Sequence, residues 1–179
     1  APNETVWSNT EMDFSTYVTY EDGNGNIKSL EHTGVVPGIN HGVIIDNLLY
    51  TYLPTGIAQL SGNKLQKVED HGTLSANNQG LLNDFKDINN QQDYYYDENG
   101  NLVKDLNKNI KTGSGDGITY NFMNKPEKVV IDGKSAIEFV YDASGQKLKK
   151  KVTYANSAVR VTSYIGDYVY EQYTPPSGG

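Results

Sequence analysis

Two segments of the chain carry oxygen side chains at the alternating spacing of a calcium loop. They are Asp22, Asn24 and Asn26, and again Asp97, Asn99 and Asn101. A calcium loop of the EF-hand type also needs glycine directly after the third ligand and an acid at the twelfth position. Here Ile27 and Leu102 follow the third residue, and Thr33 and Lys108 stand at the twelfth, so turn formation is the expected role. The three histidines, His32, His41 and His71, share no spacing that would put two of them on one side of a helix. Nucleophilic catalysis finds no cysteine and no Gly-x-Ser-x-Gly elbow. Carboxylates are plentiful, but nearly all lie beside turn residues, where an Asp side chain caps the turn backbone. The chemistry thus points to structure rather than catalysis: no catalytic, cofactor-binding or metal-binding residue is assigned, and no cofactor is expected.

The elements that hold these carboxylates are hairpins. Tyr94–Asp105 places apolar and aromatic residues on both sides of Asn99-Gly100, a strong signal for a type I′ turn with positive φ at both central residues. That turn sets Tyr96 opposite Val103 and Tyr95 opposite Lys104. Tyr141–Val152 repeats Tyr, Asp and Gly at the same offsets, with Ser144-Gly145 at the turn and Tyr141 facing Leu148. A third copy, Tyr20–Ile27, turns at Asn24-Gly25 and has one extra residue. The sites expected to matter are therefore Tyr96, Asp97, Asn99, Gly100, Tyr141, Asp142, Ser144, Gly145, Asn24 and Gly25, all as turn formers. Tyr96, Tyr120 and Tyr141 lie 24 and 21 residues apart, one hairpin unit each.

The pattern Tyr-Asp-x-x-Gly-(Asn/Gln)-x-(Leu/Val) resembles the YD, or RHS, repeat of bacterial polymorphic toxins, wall-associated proteins and teneurins. Three further segments, Ile45–Tyr52, Ile118–Pro126 and Tyr164–Glu171, follow in the order of an RHS-repeat-associated core. The resemblance covers roughly Tyr20 to Glu171. It implies an all-β array of antiparallel hairpins forming part of a spiralling shell. The implied function is structural: one section of a secreted or cell-surface bacterial polypeptide that encloses or presents a C-terminal toxin or effector. Its partners would be the rest of that polypeptide and its cargo. Self-cleaving members use paired aspartates around an Asp-Pro motif; no Asp-Pro occurs in this chain. The alternative is an adhesin or carbohydrate-binding module that takes surface glycans on a tyrosine-rich sheet.

Composition fits sheets with one dry face. The apolar fraction is 36%, and tyrosine (14) far outnumbers phenylalanine (4), so much of the hydrophobic area ends in a polar tip. A formal charge of −7 argues against nucleic acid, which asks for a basic stripe. No run approaches the roughly 18 apolar residues of a membrane helix, so no membrane insertion is expected.

Along the chain, residues 1–13 read as a lead-in, 14–173 as the hairpin array and 174–179 as a Pro/Gly-rich tail. Phe14–Tyr20 alternates as a strand, Thr33–Gly42 reads as a loop, and Val43–Tyr52 as a strand broken at Asp46-Asn47. Its return strand is expected over Lys64–Val68 after a Gly62-Asn63 turn. The longer loop 71–92 carries Leu81, Leu82, Phe85 and Ile88 at helical spacing. In Ile137–Val152 the pairs Glu138–Lys151, Val140–Lys149 and Asp142–Lys147 should face each other, making Lys149–Lys151 sheet-face charge.

Overall fold

The computed structural model describes residues 14–21, 23–35, 42–54, 61–72, 85–88 and 90–176. Among them every regular element is a strand, and every strand pairing is antiparallel. The chain forms two compact units, Ala1–Gln91 and Gln92–Gly179. The division falls within the long loop.

The first unit is a meander of four strands: β1 (Thr16–Glu21), β2 (Asn26–Val35), β3 (Gly42–Pro54) and β4 (Ser61–Asp70). β3 runs unbroken through Asp46-Asn47. The irregularity sits one residue earlier, where His32 pairs with Asp46 but Thr33 with Ile44, leaving Ile45 as a bulge. Ile45 is buried with Leu48 and Val68. The Ile45 Cδ1 methyl packs over Gly34, where an added Cβ would oblige that methyl to shift. Gly62-Asn63 is not a turn: it lies inside β4, and the β3–β4 ladder extends beyond it to Pro54↔Ser61. Phe85–Ile88 has no regular secondary structure and is not helical; Leu81 and Leu82 lie outside the described residues. Its Phe85 amide donates to Asp46 Oδ1 at 2.9 Å, and Asp87 Oδ2 accepts from the Asp70 amide at 3.3 Å. One bond satisfies a sheet carboxylate and the other a sheet amide, and together they tie the segment to β3 and β4.

The second unit contains β5 (Tyr94–Tyr96), β6 (Leu102–Asp105), β7 (Lys111–Thr112), β8 (Gly115–Asp116), β9 (Ile118–Tyr120), β10 (Pro126–Ile131), β11 (Ser135–Tyr141), β12 (Lys147–Tyr154), β13 (Val159–Ile165) and β14 (Tyr168–Thr174). β9 to β14 form a six-stranded meander in chain order. The β5–β6 hairpin joins it through Gly117, whose amide donates to the Val103 carbonyl at 2.9 Å and whose carbonyl accepts from Val130 at 2.7 Å. No side chain fits at Gly117, since a Cβ would overlap the Ile110–Lys111 peptide. The buried apolar residues of this unit are Val103, Ile118 and Ala158, a thin core for so many strands. Glu138–Lys151 and Val140–Lys149 pair as expected, and Lys151 Nζ meets Glu138 Oε2 at 3.0 Å.

The hairpin registers differ from expectation by one residue. Tyr95 does face Lys104, but Tyr96 faces Leu102, not Val103. Tyr141 faces Lys147, not Leu148, and Asp142 pairs with Gln146 rather than Lys147. Asn99 and Ser144 have ordinary negative φ; only Gly100 (φ 87°) and Gly145 (φ 83°) are left-handed. The loops are therefore type I turns closed by a glycine bulge, not type I′ turns. In the Tyr20 copy Glu21 pairs with Asn26, leaving a loop one residue longer, and among its described loop residues Gly25 alone has positive φ (73°).

Candidate functional site

The Tyr-Asp turns share one local construction. In Asp97–Asn101 the Asp97 amide donates to the Asn101 carbonyl at 2.9 Å, and the Gly100 amide to the Asp97 carbonyl at 3.0 Å. In Asp142–Gln146 the same two bonds measure 2.9 and 3.0 Å. The carboxylate completes each loop. Asp97 Oδ1 accepts from the Asn101 amide at 2.7 Å, and Asp142 Oδ1 accepts from the Ser144 and Gln146 amides, both at 2.9 Å. Hydrogen bonds from the Asn101 side chain and amide hold the Asp97 carboxyl below its ordinary range. Those from Ser144 and Gln146 do the same for Asp142.

Two more turns of this kind escaped the sequence pattern. Asn121–Lys125 repeats both backbone bonds, at 3.0 and 2.9 Å, with Asn121 Oδ1 accepting from Met123 and Lys125 and Asn124 at φ 58°. Asn121 replaces Asp as the cap and Asn124 replaces Gly as the left-handed residue, both within asparagine's known tolerance. Tyr154–Ala158 has the same frame with Ser157 at φ 66°. The signal for the first was present as Tyr-Asn-x-x-Asn; the second has no Asp or Asn at its first position, and Asn156 Oδ1 instead accepts from the Ala158 amide at 3.1 Å.

Tyrosine links successive hairpins. Tyr120 Oη donates to the Leu102 carbonyl at 2.8 Å, and Tyr141 Oη to the Pro126 carbonyl at 2.9 Å. Each acceptor lies six residues after the preceding unit's tyrosine, Tyr96 or Tyr120. In the first unit Tyr52 Oη donates to the Ile27 carbonyl at 3.0 Å, seven residues after Tyr20, as the one-residue insertion requires. Partial burial raises the phenol pKa of Tyr120 and Tyr141, with the Asp97 charge adding to the effect at Tyr120.

Of the calcium-like triplets, the second can be followed in the described residues. Asp97 turns both oxygens onto Asn101, Oδ2 accepting from its Nδ2 at 3.0 Å, while Asp22 lies outside the described residues. Among the described residues no three His, Cys, Asp or Glu side chains group as metal ligands. His32 Nδ1 lies 3.4 Å from Asp46 Oδ2, His71 donates its amide to the Asn47 carbonyl, and His41 lies outside the described residues.

Two fully or nearly buried carboxylates, Asp93 (0% exposed) and Asp105 (3%), are not marked by any motif. Asp105 Oδ1 accepts from the Lys108 amide at 3.1 Å, and Lys108 Nζ lies 3.7 Å from Oδ2. Burial drives the Asp105 pKa up, with the Asp93 charge pushing the same way and the Lys108 contacts opposing it. The geometry is that of a turn cap.

The other feature with chemical reach is a cleft of about 530 Å³ between the 121–125 turn and the end of β11. Phe122, Phe139 and Tyr141 supply its aromatic surface, and Asn121, Glu127 and Asp142 its polar groups. Phe122 is 94% exposed; Phe139 and Tyr141 lie 6.3 Å apart at 33°. Lys147 Nζ sits 4.9 Å from the Phe139 ring centre and Lys125 Nζ 5.7 Å from that of Tyr141, within cation–π range. No protein-family model and no curated protein matches the chain.

Proposed function

We propose that the chain is a section of a YD/RHS-type β wall, a structural piece of a longer secreted or cell-surface bacterial polypeptide that encloses or presents a C-terminal toxin or effector. The observation that carries the proposal is the tyrosine link. Tyr120 and Tyr141 each bond the backbone of the hairpin before them at the same six-residue offset. Such a bond defines a unit that is incomplete without its neighbour, as a repeat array requires. The edges support the same role. β14 is an outer strand exposed along its whole length, with Tyr168, Val169, Tyr170 and Tyr173 each more than half exposed. An edge of that length and polarity is suited to pairing with a following repeat. No catalytic step is assigned to the chain.

Electron cryo-microscopy of the whole gene product tests the proposal. Further hairpins should pair onto β14 and onto β1, continuing both sheets into a closed wall around the C-terminal segment. A whole product in which β14 and β1 stay unpaired, or in which no longer wall exists, overturns it.

A further inference from the structure

We propose that the cleft beneath Phe122 binds a neutral pyranose sugar, a role beyond that of a wall segment. Its volume of about 530 Å³ is in the range of small-molecule sites, roughly 300–1,000 Å³. Its surface combines two requirements of a sugar. One is flat aromatic area. Phe122 projects almost fully into solvent, where an unengaged ring is costly to leave, and Phe139 and Tyr141 form a tilted pair that lines the same cleft. The negative face of such rings attracts the polarised C–H groups of a pyranose.

The other requirement is hydrogen-bonding capacity not consumed by the fold. Asn121 uses only Oδ1, for Met123 and Lys125, so its Nδ2 donors have no partner among the described residues. Asp142 directs Oδ1 onto Ser144 and Gln146, and Oδ2 makes no hydrogen bond among the described residues. Glu127 is exposed on β10 and forms neither a hydrogen bond nor an ion pair with a described residue. The cleft therefore offers both donors and acceptors, which matches hydroxyls that both give and accept.

The charge balance selects among ligands. Glu127 and Asp142 line the cleft, while Lys125 and Lys147 stand against its Tyr141 and Phe139 rings from outside the lining and oppose the carboxylate charge there. An apolar chain or a proline-rich peptide would cover the two carboxylates without supplying the donors they need, at a desolvation cost. A polyhydroxylated, uncharged ring meets both conditions. Each feature lies within a single hairpin pair, so the site needs no neighbouring repeat, and its failure would leave the wall proposal standing.

The test is a titration of the full 179-residue chain, ¹⁵N-labelled, with methyl β-D-glucopyranoside, methyl β-D-galactopyranoside and methyl α-D-mannopyranoside. At least one glycoside should saturate with Kd on the order of millimolar, a binding free energy near −4 kcal/mol, and shift amides of residues 121–123 and 139–143. Phe122→Ala and Glu127→Gln alter exposed side chains and should leave the melting temperature unchanged. Each should weaken that glycoside about tenfold or more, the equivalent of ~1.4 kcal/mol. No saturable shift with any of the three, shifts confined to other residues, or equal affinity in both variants overturns the proposal. So does saturable binding at this cleft of butylammonium or a proline-rich peptide with no glycoside binding.

Discussion

Removing one hydroxyl oxygen from Tyr141 or Tyr120 isolates the bond on which the repeat depends. The ring stays, so Tyr141→Phe deletes only the donor to the Pro126 carbonyl at 2.9 Å, and Tyr120→Phe the donor to the Leu102 carbonyl at 2.8 Å. A neutral intramolecular hydrogen bond contributes a net ~0.5–1.5 kcal/mol, the upper part of the range applying where the abandoned acceptor stays dry. Both tyrosines and both acceptor residues are half-buried. A loss of about 1 kcal/mol per substitution follows, since rehydration offsets some of the unmade bond. For a cooperative unit the size of Gln92–Gly179, that corresponds to a fall in melting temperature of about 4–8 °C each. Tyr170→Phe is the control: its ring is 58% exposed, and a surface change of that kind should stay within about 0.5 kcal/mol. Thermal unfolding followed by circular dichroism, repeated in urea, gives the three values. If Tyr120→Phe and Tyr141→Phe both match Tyr170→Phe, the hydroxyl does not join the hairpins, and ring packing alone must.

The turns give a second comparison. Gly100→Val should destabilise far more than Glu98→Ala, because a β-branched residue at φ 87° is strained while Glu98 is an exposed central turn residue; chemical denaturation of both variants reads the difference. Gly117→Ala places a methyl group against the Ile110–Lys111 peptide and should cost about 1–3 kcal/mol, whereas Gly23→Ala, with open space and no positive φ, should change stability by less than about 0.5 kcal/mol in the same assay. In pH-dependent melting, Asp97 and Asp142 have lowered carboxyl pKa values, so what they add is complete above the ordinary value of 3.8 and is lost as pH falls through their folded values; Asp142→Asn should flatten that acid limb. Asp105 runs the opposite way: its raised pKa means stability is gained as pH falls from neutral through that value, and Asp105→Asn should remove this rise while keeping an acceptor for the Lys108 amide.

The hairpins were legible because Tyr-Asp and glycine recur at fixed offsets, and period-2 alternation marked β1, β11 and β12. The turn type was not, because Asn99-Gly100 in isolation is the strongest two-residue signal. The deciding residue stands earlier. Asp97 accepts the amide of Asn101 four residues on, and that contact favours a longer loop with a single left-handed residue. Ser144 carried the same message, since serine is poorly suited to the positive φ that a Ser-Gly type I′ turn demands. Gly62-Asn63 misled for the reverse reason: turn chemistry was present, but pairing of β3 with β4 continued past it. The cleft was out of reach from sequence. Phe122, Glu127 and Phe139 belong to separate elements and converge only once β9, β10 and β11 have paired.

Aspartate and tyrosine in the repeat divide the labour by range. Asp97 and Asp142 act within five residues, closing a loop by accepting from its backbone amides. Tyr120 and Tyr141 act across 18 and 15 residues, fixing where one hairpin meets the preceding one. The second unit needs this arrangement because its buried apolar residues, Val103, Ile118 and Ala158, cannot by themselves specify register over ten strands. A one-residue slip would turn every side chain to the opposite face, and a thin core penalises that weakly. Directional bonds from the tyrosine hydroxyl and to the turn carboxylate penalise it strongly, since a slipped Tyr141 no longer meets the Pro126 carbonyl. Register in this chain is thus set at the turns and at the tyrosine hydroxyls, and the sheet faces are left free to vary, which is how a cleft such as that of Phe122 can form on one unit without disturbing the next.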